Sequence, residues 1–74
     1  MSSELTTREI DVLRLMADGR GNAQIARLLH LTLSTVEKHA SSIFRKLAVD
    51  HDQPGANPRV VAVLHYLRLT GRLT

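Results

Sequence analysis

The chain has 74 residues, carries 10 Lys and Arg against 7 Asp and Glu, and contains no cysteine. A domain this small buries only about 60% of the surface of its unfolded chain. A large active-site pocket would therefore leave too few buried residues to form a stable core. Disulfides and thiolate metal sites are excluded, and no apolar run approaches the roughly 18 residues of a membrane span. We therefore expect residues 1–74 to form one cytoplasmic domain that is not an enzyme, needs no cofactor and has no membrane partner.

The first predicted helix covers residues 7–18. Thr6 is a favourable N-cap, and Glu9 three residues later completes a capping-box pattern. Gly19 follows at the position where helices commonly end in a left-handed residue.

Two further helices, over residues 22–30 and 33–47, are separated by a short turn. Apolar residues at helical spacing predict the buried sides of these two helices: Ile25, Ala26, Leu28 and Leu29 on the first, and Leu33, Val36, Ala40, Ile43 and Leu47 on the second. The opposite side of the second of these helices presents a polar set, namely Ser34, Glu37, Lys38, Ser41 and Arg45. One side of this helix is therefore predicted to be buried in the core, and the opposite side is predicted to be exposed.

A polar loop over residues 48–57 precedes a fourth apolar segment. The segment is rich in β-branched residues and is compatible with a buried strand. Its length, the Asn57-Pro58 start and the stop at Gly71 favour a helix over residues 58–70. The fold class is therefore predicted to be all-α with four helices.

The second and third helices match the pattern of a helix-turn-helix motif. Asn22 is counted as position 1 of the motif. The four positions that the motif is expected to bury are then apolar, and the residue at position 5 of the motif is small. These residues are Ile25, Leu29, Leu31 and Val36, with Ala26 as the small one. Residues 27–46 also carry four basic side chains against Glu37 alone, a net charge of +3. A trihelical core without a ligand is the alternative interpretation of the same pattern.

Residues 5–49 resemble the LuxR-type, or GerE-like, DNA-binding domain found at the C-terminus of NarL/FixJ-type bacterial response regulators and of quorum-sensing regulators. The resemblance is carried by Leu5, Thr6, Arg8, Glu9, Leu13, Ala17, Gly19, Asn22, Ile25, Ala26, Leu29, Thr35, Val36, His39, Ile43, Lys46, Leu47 and Val49. The sequence departs from the family in its longer loop before the fourth helix. It also departs at Ala48, where a glycine is usual, and at Glu37, where a lysine is common.

The resemblance implies that the third helix enters the major groove of double-stranded DNA and that the fourth helix forms a homodimer. Because one helix offers little interface, we expect DNA to promote this homodimer. The expected groove contacts are Ser34, Glu37, Lys38 and Ser41. The expected phosphate contacts are Asn22, Thr32, Thr35, Ser42, Arg45 and Lys46. The expected dimer contacts are Val61, Leu64, Tyr66 and Leu67.

Several assignments stay open at this stage. Lys46 can instead pair with an acid such as Glu9 inside the fold, and Thr32, Thr35 and Asn22 can act as helix caps alone. The four histidines show no metal-ligand spacing, so no metal is expected. A region-4-like sigma factor module that docks on RNA polymerase and a protein-binding helical module are the alternative functions.

The chain is also expected to be the effector part of a longer regulator. An N-terminal receiver or sensor domain absent from this chain, and a contact with RNA polymerase, are the further partners expected.

Overall fold

The computed structural model describes residues 4–47 and 57–71, and these residues form four α-helices with no strand among them. The helices are α1 (Thr7–Ala17), α2 (Asn22–Leu29), α3 (Leu33–Lys46) and α4 (Pro58–Leu69). The all-α prediction is confirmed, and each helix ends one residue earlier than predicted. The strand interpretation of the fourth segment was wrong. The sequence departs from the LuxR-type family at Ala48 and in its longer loop. Residues 48–56, which contain both departures, lie outside the described part of the chain.

Side chains cap three of the four helices at their starts. The Thr6 hydroxyl accepts a hydrogen bond from the Glu9 backbone N–H at 3.1 Å, and Glu9 Oε1 accepts one from the Thr6 N–H at 2.8 Å. This reciprocal pair is the predicted capping box. The Thr32 side chain accepts a hydrogen bond from the Thr35 N–H in α3, and the Asn57 side chain accepts from the Arg59 N–H in α4.

The α1 helix ends in a Schellman motif. Gly19 has φ +84°, and its N–H donates to the Met16 carbonyl oxygen at 2.9 Å. The Arg20 N–H donates to the Leu15 carbonyl oxygen at 3.0 Å, which completes the motif. Glycine adopts this positive φ without the steric penalty that a Cβ atom brings.

The α2 helix ends in the same motif with a histidine in place of glycine. His30 has φ +57°, and the Leu31 N–H donates to the Ala26 carbonyl oxygen at 2.8 Å. This left-handed residue ends α2 and turns the chain, so α3 can begin at Leu33. The turn of the helix-turn-helix motif therefore contains a strained non-glycine residue.

The core lies between α1 and the other three helices, each of which α1 contacts. Its buried apolar residues are Val12, Leu13, Met16, Ile25, Ala26, Val36, Ala40, Ile43 and Ala62. Two predicted core residues are not buried, since Leu28 is 49% exposed and Leu33 is 46% exposed. On α2 the inward position is taken by Leu29, and α3 enters the core only one turn after its start, at Val36.

One stripe of α4 covers the core and another faces outward. Ala62 is fully buried, and Val63 and Tyr66 pack against the core. Val60 and Leu64 are 53% and 37% exposed. Ala62 and Tyr66 therefore define the inward side of α4, whereas Val60 and Leu64 lie on its outward side.

Arg59 joins the start of α4 to the segment between α1 and α2. Its guanidinium donates to Asn22 Oδ1 at 2.8 Å and to the Arg20 carbonyl oxygen at 2.6 Å. Two directed hydrogen bonds from one planar group define orientation as well as distance. The first turn of α4 is thereby held against the start of the helix-turn-helix motif.

Candidate nucleic-acid interface

A shallow depression of about 400 Å³ runs along the outer side of α3. It is lined by Ser34, Glu37, Lys38, Ser41 and Arg45, and all of these residues are exposed. We call this surface the α3 face. Spacings of three, four, seven and eleven residues place these side chains on one side of a helix. The structure therefore brings together the four predicted groove residues and one predicted phosphate residue.

The reverse side of α3 anchors the helix in the core. Val36 and Ile43 are fully buried, and Ala40 between them is 5% exposed. The prediction that one side of this helix is buried and the other side is exposed is confirmed. Because the buried seam sets the rotation of the helix, the α3 face points away from the rest of the molecule.

Two of the predicted phosphate residues make contacts inside the protein. The Lys46 ammonium lies 2.7 Å from Glu9 Oε1, and the Ser42 hydroxyl donates to Glu9 Oε2. The side chain of Lys46 is 25% exposed, whereas that of Glu9 is only 4% exposed. The internal pair that the sequence left open for Lys46 is therefore formed, and it links α3 to α1.

This environment changes the acidity of Glu9. Burial alone would raise the pKa of its carboxyl group. Hydrogen bonds from Lys46, Ser42 and the Thr6 backbone, together with the charge of Lys46, outweigh burial and lower the pKa to about 2. Glu9 is thus a buried carboxylate that holds the last turn of α3 in place.

The remaining predicted phosphate residues lie at helix starts. The Thr32 hydroxyl accepts from the Thr35 N–H at 3.1 Å and donates to the Thr35 hydroxyl at 2.8 Å. Asn22 is the first residue of α2 rather than its cap, which is Gly21, and its side-chain oxygen accepts from Arg59. Each side chain therefore has a structural partner, and phosphate contact stays a prediction for all three.

The four predicted dimer residues occupy different sides of α4. Leu64 is exposed, Val61 and Leu67 are half-buried, and Tyr66 packs against the core. Val60, which is more exposed than any of them, lies beside Leu64 in a groove with Met16 and Val63. We call the exposed apolar surface formed by Val60 and Leu64 the outward stripe of α4.

Sequence reasoning missed two features of this region. Leu33 was assigned to the core but lies exposed next to the α3 face, which its position in the first turn of α3 could have indicated. The contact between Arg59 and Asn22 joins residues 37 positions apart, and no local pattern indicates it.

The rest of the described surface shows no metal or membrane feature. Within residues 4–47 and 57–71 no group of three His, Asp or Glu side chains could hold a metal ion. Across the same residues no helix is long and apolar enough to cross a membrane.

Comparison with known families agrees with this geometry. The family model for "Bacterial regulatory proteins, luxR family", known as GerE, matches residues 3–56. This chain therefore belongs to the luxR family, whose members carry a helix-turn-helix DNA-binding domain.

Two curated proteins are similar in sequence to part of this chain. An uncharacterized response regulatory protein, YgeK of Escherichia coli strain K12, is 47% identical over 47 residues, which is 64% of this chain and 32% of that protein. The response regulator protein VraR of Staphylococcus aureus strain Mu3 is 47% identical over 45 residues, or 61% of this chain and 22% of that protein. The chain thus matches about a third of one relative and about a fifth of the other.

Proposed function

We propose that this chain is the DNA-binding effector domain of a two-component response regulator, with α3 in the major groove and α4 pairing with a second copy. The α3 face carries the proposal. It presents three charged and two hydroxyl side chains outward from a helix whose opposite side is fixed in the core. A helix that displays donors and acceptors in this way fits the major groove, where base edges present both.

The residues of the α3 face divide into two roles. Ser34, Glu37, Lys38 and Ser41 contact base edges, and Lys38 donates to guanine O6 and N7. Arg45 lies one turn beyond Ser41, where a guanidinium reaches phosphate oxygens and positions the helix without specifying sequence. Thr32 and Thr35 add phosphate contacts at the start of the helix, where free N–H groups favour anions.

The relatives support the assignment to a response regulator. Two response regulatory proteins share 47% identity with this chain over about 60% of its length, and both are several times longer than the matched segment. The intact protein would accordingly carry a receiver or sensor domain in addition to this one. The luxR match also favours a regulator over the sigma factor module.

Binding to duplex DNA over a salt series tests the proposal. We expect Lys38→Ala to weaken binding to a selected site more than to random duplex. Arg45→Ala should weaken both about equally and reduce the slope of log Kd against log salt by about 1, because one phosphate contact is lost. Fluorescence anisotropy between about 50 and 200 mM salt measures both effects.

Arg14→Ala is the matched control, since Arg14 is an exposed arginine on α1 and lies outside the α3 face. This variant should leave both the affinity and the slope unchanged. Equal losses for Arg14→Ala and Arg45→Ala would show that net charge alone drives binding, and would contradict the proposed placement of α3.

A further inference from the structure

Leu33 is an exposed apolar residue at the border of the α3 face. It is the first residue of α3 and is 46% exposed, whereas Val36 one turn later is fully buried. Leu33 and Glu37 are four residues apart and are therefore neighbours on the helix surface. Ser34, the next residue in the chain, lines the α3 face itself. An apolar side chain thus extends a surface that otherwise offers charges and hydroxyls.

The position of Leu33 matters for what it can contact. Recognition helices place their N-terminal residues against base edges in the major groove. The edges of the bases there carry hydrogen-bond donors and acceptors, except for the C5-methyl group of thymine. Leucine has no polar atom in its side chain, so the thymine methyl is the one group of a base edge that it fits.

We infer that Leu33 is a specificity-determining residue that contacts a thymine C5-methyl group beside the bases contacted by Ser34 and Glu37. This inference rests on the proposed placement of α3 in the major groove. The contact removes the methyl group and part of the leucine from water. Loss of one buried methyl-sized group corresponds to a change in Kd of about fourfold.

Deoxyuridine provides a direct test, because it pairs like thymine and lacks only the methyl group. The probe is the tightest duplex selected by this chain from a random library, with each thymine replaced singly by deoxyuridine. At one thymine per half-site we expect the replacement to raise Kd about fourfold for the unaltered chain. Leu33→Ala should bind the two duplexes equally, and Leu33→Met, which keeps an apolar side chain, should retain sensitivity.

Leu28→Ala is the matched control, since Leu28 is a similarly exposed leucine at 49% and lies on α2. It should keep the full sensitivity to deoxyuridine. Circular dichroism melting of each variant checks that the helices remain folded.

Two results would overturn the inference while leaving DNA binding intact. Either no thymine is sensitive to loss of its methyl group, or the sensitivity persists unchanged in Leu33→Ala. If no duplex is bound above background, both the inference and the proposed function are wrong.

Discussion

Glu9 is buried among three hydrogen-bond donors, and these donors stabilise its carboxyl group in the charged form. Its pKa is about 2 in the folded protein, compared with 4.5 for the unperturbed group. The stability that this difference provides is fully present above about pH 4.5 and is lost as the pH falls toward 2. The difference corresponds to about 3 kcal/mol of unfolding free energy.

We expect the acid sensitivity of folding to depend largely on this residue. Urea unfolding between pH 7 and pH 2 should show a steep loss of stability below about pH 4.5. Glu9→Gln should flatten this dependence and destabilise the protein at pH 7, since Lys46 then lacks its carboxylate partner. The same pH dependence in both proteins would contradict the role given to Glu9.

Glu37 is an exposed carboxylate in the middle of a surface proposed to face DNA. Within the described residues no cation lies within ion-pair distance of it, and its i±3 and i±4 neighbours carry no charge. Glu37 lies beyond the first turn of α3, so the helix dipole stabilises its charge little. In the major groove a carboxylate repels phosphate but accepts a hydrogen bond from cytosine N4.

We therefore expect Glu37→Ala to bind random duplex more tightly and to lose its preference at one base pair. The change in specificity should be roughly 1 to 3 kcal/mol. Competition binding on a site library measures both quantities. Asp11→Ala, which removes the same charge from α1, controls for net charge and should keep the base preference. If neither quantity changes in Glu37→Ala, the carboxylate does not face the groove and this prediction is wrong.

At the scale of the elements, the end of α2 stores strain. His30 has φ +57°, a conformation that costs residues with a Cβ atom about 1 to 2 kcal/mol. His30→Gly removes this strain, while the greater freedom of glycine in the unfolded chain offsets part of the gain. We expect a net stabilisation of roughly 0.5 to 1 kcal/mol, measured by urea unfolding.

The same replacement within a helix should have the opposite sign. His39 lies inside α3, where glycine is about 1 kcal/mol less favourable than alanine and also less favourable than histidine. His39→Gly should therefore lower stability. Destabilisation by both variants would show that the side chain of His30, rather than its backbone conformation, matters for folding.

At the scale of the whole molecule, the outward stripe of α4 is the surface through which we propose that two copies pair. We expect weak self-association of the free domain and cooperative binding to two half-sites about 10 base pairs apart. Leu64→Asp should abolish this cooperativity without unfolding the domain, because Leu64 is 37% exposed. Tyr66→Asp should unfold it, because Tyr66 packs against the core.

Analytical ultracentrifugation with and without DNA tests this expectation, with far-UV circular dichroism to check folding. Leu69→Asp is the control on the same helix, since Leu69 is 76% exposed and lies outside the Val60 and Leu64 groove. A strict one-to-one complex on the best two-half-site duplex would contradict dimerisation through α4.

The sequence by itself determined the features that depend on neighbouring residues. The capping box of Thr6 and Glu9, the left-handed Gly19 and the Asn57-Pro58 start each involve atoms within a few residues of one another. Helical periodicity likewise identified the polar side of α3, because the 3.6-residue repeat places its members on one surface. The four helices and most of the candidate site were therefore predictable.

Only the tertiary structure decided which parts of these helices meet. Leu33 has the spacing of a core residue, yet it is exposed because α3 enters the core one turn later. Lys46 is basic whether it faces DNA or not, and only the approach of α1 places Glu9 2.7 Å from its ammonium group. The same holds for Arg59, which binds Asn22 because α4 folds back onto the start of α2. Such contacts depend on the relative placement of whole helices, about which the periodicity of a single helix carries no information.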